Sequence, residues 1–201
     1  MKKLTTYNLQ LTTTRGFTLV ETLVAISILM ISLAGPLVIV GNGIKASAYA
    51  RDQITAFYLA QDAVEALRFL RDNNRIQIVN GNSDNWYTFT EVLTSCQTSE
   101  GTPEGSESWC TIDTIGIYEN SDNIDFIKPK DDPLYDNDFL SVHSSGYYRQ
   151  GNVGGTLTPF KRYFTYRSIG TNEVEIIVKI DWTSRNTPRN FIVKENLFYW
   201  Y

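Results

Sequence analysis

A single carboxylate set in an apolar run is the first chemistry the chain offers. Residues 17–40 read FTLVETLVAISILMISLAGPLVIV, and Glu21 is the one ionisable side chain among them. A carboxylate in hydrocarbon costs a few kcal/mol unless a cation or donor meets it, so Glu21 is assigned a function. Left alone it would keep its proton, because desolvation raises a carboxyl pKa. Two cysteines, Cys96 and Cys110, offer either a disulfide or reactive thiols. With one histidine and two cysteines in the chain, a four-ligand Cys/His zinc site cannot be built. The acids and amide Asp131, Asp132, Asp136, Asn137 and Asp138 supply hard oxygen ligands suited to Ca²⁺, but no EF-hand spacing accompanies them, so a solvated acidic loop over 131–138 is expected and no metal. His143 stands beside Ser144 and Ser145. No G-x-S-x-G elbow is present, so a surface histidine is expected in place of a triad, with no catalytic residue and no cofactor.

The element that must hold Glu21 is a membrane helix. At 1.5 Å per residue the 24 residues of 17–40 span roughly 36 Å as a helix, enough to cross the hydrocarbon core of a bilayer. Lys2, Lys3 and Arg15 precede it and no acid lies in residues 1–16. The positive-inside bias then keeps the N-terminus in the cytoplasm and sends the remainder outward. A removed secretory signal is the plainer alternative, with small-residue sites at Ala46-Ser47-Ala48 and Ala48-Tyr49-Ala50. Three features oppose it: the apolar run is too long, a polar Thr and Asn tract separates it from the lysines, and a carboxylate lies in its first turns.

Arg15-Gly16-Phe17-Thr18-Leu19-Val20-Glu21, running straight into an apolar helix, resembles the class III prepilin signal of type IV pilins and type II secretion pseudopilins. The resemblance implies cleavage by prepilin peptidase between Gly16 and Phe17 and methylation of the new amino group on Phe17. It further implies assembly with other pilin or pseudopilin subunits by an inner-membrane platform. Glu21 would then meet the Phe17 amino group of a neighbouring subunit in a filament core. The expected location is a single pass through the inner (cytoplasmic) membrane with an exported C-terminal head, followed by a periplasmic or extracellular filament. In that compartment Cys96 and Cys110 are expected to be joined, closing a loop of about 15 residues worth roughly 3 kcal/mol in the chain-entropy model.

Past the membrane segment, Ile44, Ala48, Ile54, Phe57, Tyr58, Val64, Leu67 and Leu70 recur near helical spacing, so one helix is expected from about residue 17 to a polar stop at Asp72-Asn73-Asn74. Pro36, with Gly35, Gly41 and Gly43, should bend or loosen it. Residues 75–158 are acidic and turn-rich, with strand-like runs at 86–93 and 139–143. The C-terminal third reads as an antiparallel meander of strands at 160–169, 174–182 and 191–199, with turns at Gly170-Thr171-Asn172 and Asn186-Thr187-Pro188. Pairing the helix stripe of 54–70 with that sheet gives an α+β head, type IV pilin-like, behind a long N-terminal helix. The domains expected are a leader of 1–16, a transmembrane or filament-core helix of 17–40, an amphipathic helix of 41–74 and a head of 75–201.

The segment TPFKRYFTYRSI with EVEIIVKIDW is similar to minor pilins of the PilV type and minor pseudopilins of the GspI type. A structural, non-enzymatic filament subunit is therefore expected, a minor pilin first and a pseudopilin of a secretion or DNA-uptake system second. Lys161, Arg162, Arg167, Arg185, Arg189 and Lys194, interleaved with Tyr163, Tyr166 and Trp182, form a cluster that could contact DNA. Glu173, Glu175, Asp181 and Glu195 share the same strands, so an ordinary polar sheet face is expected and no nucleic-acid partner.

Overall fold

The computed structural model describes residues 16–80, 90, 93–99, 101–103, 106–119, 126–130, 138–152 and 154–199. Most of the run expected as a strand at 86–93 and most of the acidic loop at 131–138 lie outside them. The chain divides into two compact units, residues 1–48 and 49–201. Helix α1, Leu19–Val79, contributes to both. It passes the expected stop at Asp72-Asn73-Asn74 because neither asparagine breaks a helix, and the last turn closes with Asn80 N–H on the Ile76 carbonyl (3.1 Å). Beside it, Arg75 lies over the Tyr199 ring at 5.7 Å.

The second unit is α1 from Tyr49 onward, a seven-stranded antiparallel sheet and a short helix, α2 (Thr114–Glu119). Three long strands carry the sheet: β5 (Thr156–Gly170), β6 (Glu173–Ser184) and β7 (Thr187–Phe198). The far edge of β5 is shared by two short strands, β3 (Phe139–Val142) along its first half and β1 (Cys110–Ile112) further on. Outside those lie β4 (Tyr148–Gln150) on β3 and β2 (Ile127–Pro129) on β1. The meander expected at the C-terminus is therefore present in full. The second turn sits one position earlier than expected, at Arg185 and Asn186, whose φ values of 49° and 64° make a two-residue hairpin loop of the kind that matches strand twist.

Helix and sheet meet as an α+β pair. Phe160, Phe164 and Tyr166 of β5, Val174, Ile176, Val178, Ile180 and Trp182 of β6, and Leu197 of β7 bury against one stripe of α1. That stripe keeps Val64, Leu67 and Leu70 of the expected one and differs before them. It consists of Ala56, Leu59, Ala60, Ala63, Val64, Ala66, Leu67 and Leu70, whereas Ile54, Phe57 and Tyr58 stand exposed. At 100° per residue Ile54 and Tyr58 fall on the opposite side from Ala56 and Ala60. Four alanines let the helix approach the sheet closely, so size and not hydrophobicity sorts the two faces. Phe57 keeps an edge contact with Phe191 (5.9 Å), and Arg68 pairs with Glu195, so α1 runs along β7 in the same direction.

Candidate functional site

The first unit presents an N-terminus built for an apolar environment. Gly16 to Thr18 lead into α1 without regular structure. Thr18 caps the helix: its hydroxyl accepts the Glu21 N–H (3.3 Å) and its carbonyl accepts the Thr22 N–H (3.2 Å). Threonine at the cap with glutamate three positions on is the spacing of a capping box, a signal readable from Thr18-x-x-Glu21 that the functional interpretation of Glu21 passed over. The Glu21 carboxylate is left exposed. Within the apolar segment the hydroxyls of Thr22, Ser27 and Ser32 return to the carbonyls of Leu19, Leu23 and Leu29, each at 2.8 Å, so none is stranded.

Every described side chain from 17 to 40 is exposed, Phe17 at 79%. The helix is long and apolar enough to cross a membrane, and none of its most apolar stretch is buried. Residues 12–35 match the family model for the prokaryotic N-terminal methylation motif. The chain has a type IV prepilin-like N-terminus. Neither a curated protein nor a solved structure matches it. Prepilin leader and apolar helix together anchor the chain in a membrane.

In the second unit of this prepilin-like chain, Cys96 and Cys110 are joined and both buried, their Cα atoms 5.4 Å apart. Each end is also pinned to β5. Thr165 Oγ1 donates to the Cys96 carbonyl (2.8 Å), and Cys110 pairs with Phe164 in the sheet. Between them Thr98 donates its N–H to the Tyr166 carbonyl (2.9 Å) and shares a hydroxyl bond with Thr165 (2.7 Å).

The basic cluster breaks apart on the two sides of the sheet. Arg162 has no exposed surface at all. It lies on the same side of β5 as Phe160 and Phe164, facing α1. There Nη1 donates to Asp62 Oδ2 (2.6 Å) and Nη2 to the Ile112 carbonyl (3.0 Å) and Thr114 Oγ1 (3.2 Å). Thr114 in turn donates to the same Asp62 oxygen (2.6 Å). Tyr163, Tyr166 and Trp182 are buried too, so these three rings offer bases no platform. On the other sheet face Arg167 pairs with Glu175 (3.6 Å) and Lys179 with Asp181 (3.0 Å), which is the polar face expected. The Asp62–Arg162–Thr114 knot was missed in the sequence, although the alternation Phe160, Arg162, Phe164 places the arginine inward.

Other candidates resolve into structural roles. His143 stacks on Tyr147 (centroids 4.8 Å apart), and its Nδ1 receives the Ser145 N–H (3.4 Å) and neighbours the Ser144 hydroxyl (3.4 Å). No carboxylate reaches it among the described residues, so the orienting member of a triad is missing there. Asp138 accepts the Tyr163 hydroxyl (2.8 Å). Among the described residues no group of His, Cys, Asp or Glu is placed to hold a metal. Burial alone would lower the Arg149 pKa, but its bonds to Asp113 (2.9 and 3.2 Å) and the Asp113 and Glu119 charges together outweigh that and the net shift is upward. Burial, then the Asp62 and Glu65 carboxylates, push the Tyr118 hydroxyl up, and burial does the same to Tyr166.

Proposed function

We propose that the chain is a structural subunit, a minor pilin, of a type IV pilus-like filament. Prepilin peptidase cleaves between Gly16 and Phe17 and methylates the Phe17 amino group, and the remaining 185 residues (201 less 16) enter a filament through the apolar part of α1. The orientation keeps Lys2, Lys3 and Arg15 in the cytoplasm and places residues 75–201 outside, where the disulfide is stable. The observation that carries this reading is the methylation motif at 12–35 running into an apolar helix with no cover of its own. Twenty-four positions exposed together, all but Thr18, Glu21, Thr22, Ser27 and Ser32 apolar, need lipid or neighbouring helices, and a filament core supplies the latter.

The test is the intact mass and N-terminal sequence of protein recovered from membranes and from sheared surface filaments. A start at Phe17 carrying one extra methyl is expected in both fractions. A start at Tyr49 or Arg51, after the two small-residue sites, would mean signal peptidase and a released domain, and would end the filament reading.

A further inference from the structure

We propose that the cleft between α1, α2 and the β3–β4 hairpin binds the end of a neutral glycan. It is lined by Thr55, Tyr58, Leu59 and Asp62 of α1, Ile115 of α2, and Tyr147 and Tyr148. Its volume of about 350 Å³ lies at the small end of ligand pockets, which suits a terminal sugar unit. The inference concerns the second unit alone and stands whether or not the chain enters a filament.

The walls are fixed before any ligand arrives. Asp62 is held by Arg162 and Thr114, both on Oδ2, and Oδ1 bonds nothing among the described residues while 37% of the side chain remains open to solvent. Tyr147 is held by its stack on His143 and by its carbonyl, which accepts the His143 N–H (2.9 Å). The hydroxyls of Tyr58, Tyr147 and Tyr148 make no hydrogen bond among the described residues. The cleft thus combines aromatic and aliphatic faces with one free carboxylate oxygen and three free hydroxyls, preorganised and without bound partners.

Charge decides the ligand class. A cage for an alkylammonium needs an uncompensated carboxylate beside its rings, but Asp62 already faces the Arg162 guanidinium at 2.6 Å, so the cleft carries little net charge for a cation. A proline-rich segment would find the rings but has no N–H to offer Asp62 Oδ1. A pyranose brings both requirements: C–H faces to lay on tyrosine rings and hydroxyls to donate to the carboxylate.

The experiment uses the full chain in phosphatidylglycerol nanodiscs, free of sugar detergents, and saturation-transfer NMR with cellobiose, lactose and diacetylchitobiose, with choline and octaproline alongside. At least one disaccharide should receive saturation and bind at least tenfold more weakly to Tyr58→Ala and Tyr147→Ala. Tyr58 is 64% exposed, so its truncation leaves the fold in place even if Tyr147→Ala loosens the hairpin. Absence of transfer to all three disaccharides, unchanged binding by Tyr58→Ala, or transfer to choline or octaproline in place of the sugars would each overturn the proposal.

Discussion

Arg162 and Asp62 are unequal partners, and that inequality sets what their loss should do. The guanidinium is fully buried with four of its five N–H groups engaged, only Nε lacking a partner, whereas the carboxylate is partly hydrated. Asp62→Ala strands a buried cation and should destabilise the second unit by about 3 kcal/mol or more. Arg162→Met replaces the cation with an apolar chain and leaves Asp62 to water, so it should cost distinctly less. Urea unfolding of the full chain in nanodiscs, followed by circular dichroism, distinguishes them, and equal losses would refute the asymmetry. Gly16 makes the opposite case. A Cβ built there meets nothing within 4 Å, so Gly16→Val should fold and insert normally, yet processing should stop because the peptidase must approach that carbonyl closely. Maturation at the wild-type rate on an immunoblot would remove the cleavage assignment. The leader was legible because Arg15 to Glu21 is a local motif; Asp62 and Arg162 are 100 positions apart, and only strand parity could have hinted at their meeting.

At the scale of elements, legibility followed length. β5, β6 and β7 run 15, 12 and 12 residues, long enough for alternation to show, and the hairpins between them follow from short turns. β1, β2 and β4 have three residues each, too few to display a period, whereas β3, Phe139–Val142, lies within the strand-like run read at 139–143. β1 and β3 form on the edge that β5 offers, and β2 and β4 on the edges that β1 and β3 offer in turn. Val64, Leu67 and Leu70 bury as expected, but the first half of the stripe on α1 was misplaced for a related reason: large apolar residues at Ile54, Phe57 and Tyr58 outweighed alanines in a pattern based on hydrophobicity, while packing against a sheet favoured the alanines. The disulfide tests how much of the loop depends on its covalent tie. Since Thr98, Thr165 and the β1–β5 register fix both ends independently, Cys96→Ala with Cys110→Ala should keep the folded spectrum. Its effect belongs to the unfolded chain, where a closure spanning 14 positions is lost, lowering stability by about 3 kcal/mol. An altered near-ultraviolet spectrum at unchanged stability would contradict this. Free thiols in the wild-type protein, alkylated before reduction, would contradict the bridge itself.

For the whole molecule the issue is what a single carboxylate does in an otherwise apolar, uncovered helix. Every residue of the hydrophobic core lies at or beyond Ala56, so changing Glu21 leaves the means of folding the second unit untouched. The backbone N–H of Glu21 is already satisfied by Thr18, and the exposed side chain is free to serve another molecule. In lipid that freedom costs a few kcal/mol, which a neighbouring subunit's α-amino group would recover on assembly. Each 1.4 kcal/mol is a factor of ten in an equilibrium. Glu21→Ala should therefore leave processed subunit in the membrane at normal levels while its share in sheared filaments falls at least about tenfold. Glu21→Asp keeps the charge with a shorter reach and should fall between. The ratio of filament to membrane subunit, measured for both variants by quantitative immunoblot, decides the matter. A wild-type ratio for Glu21→Ala would leave the apolar surface as the only physical drive to assembly.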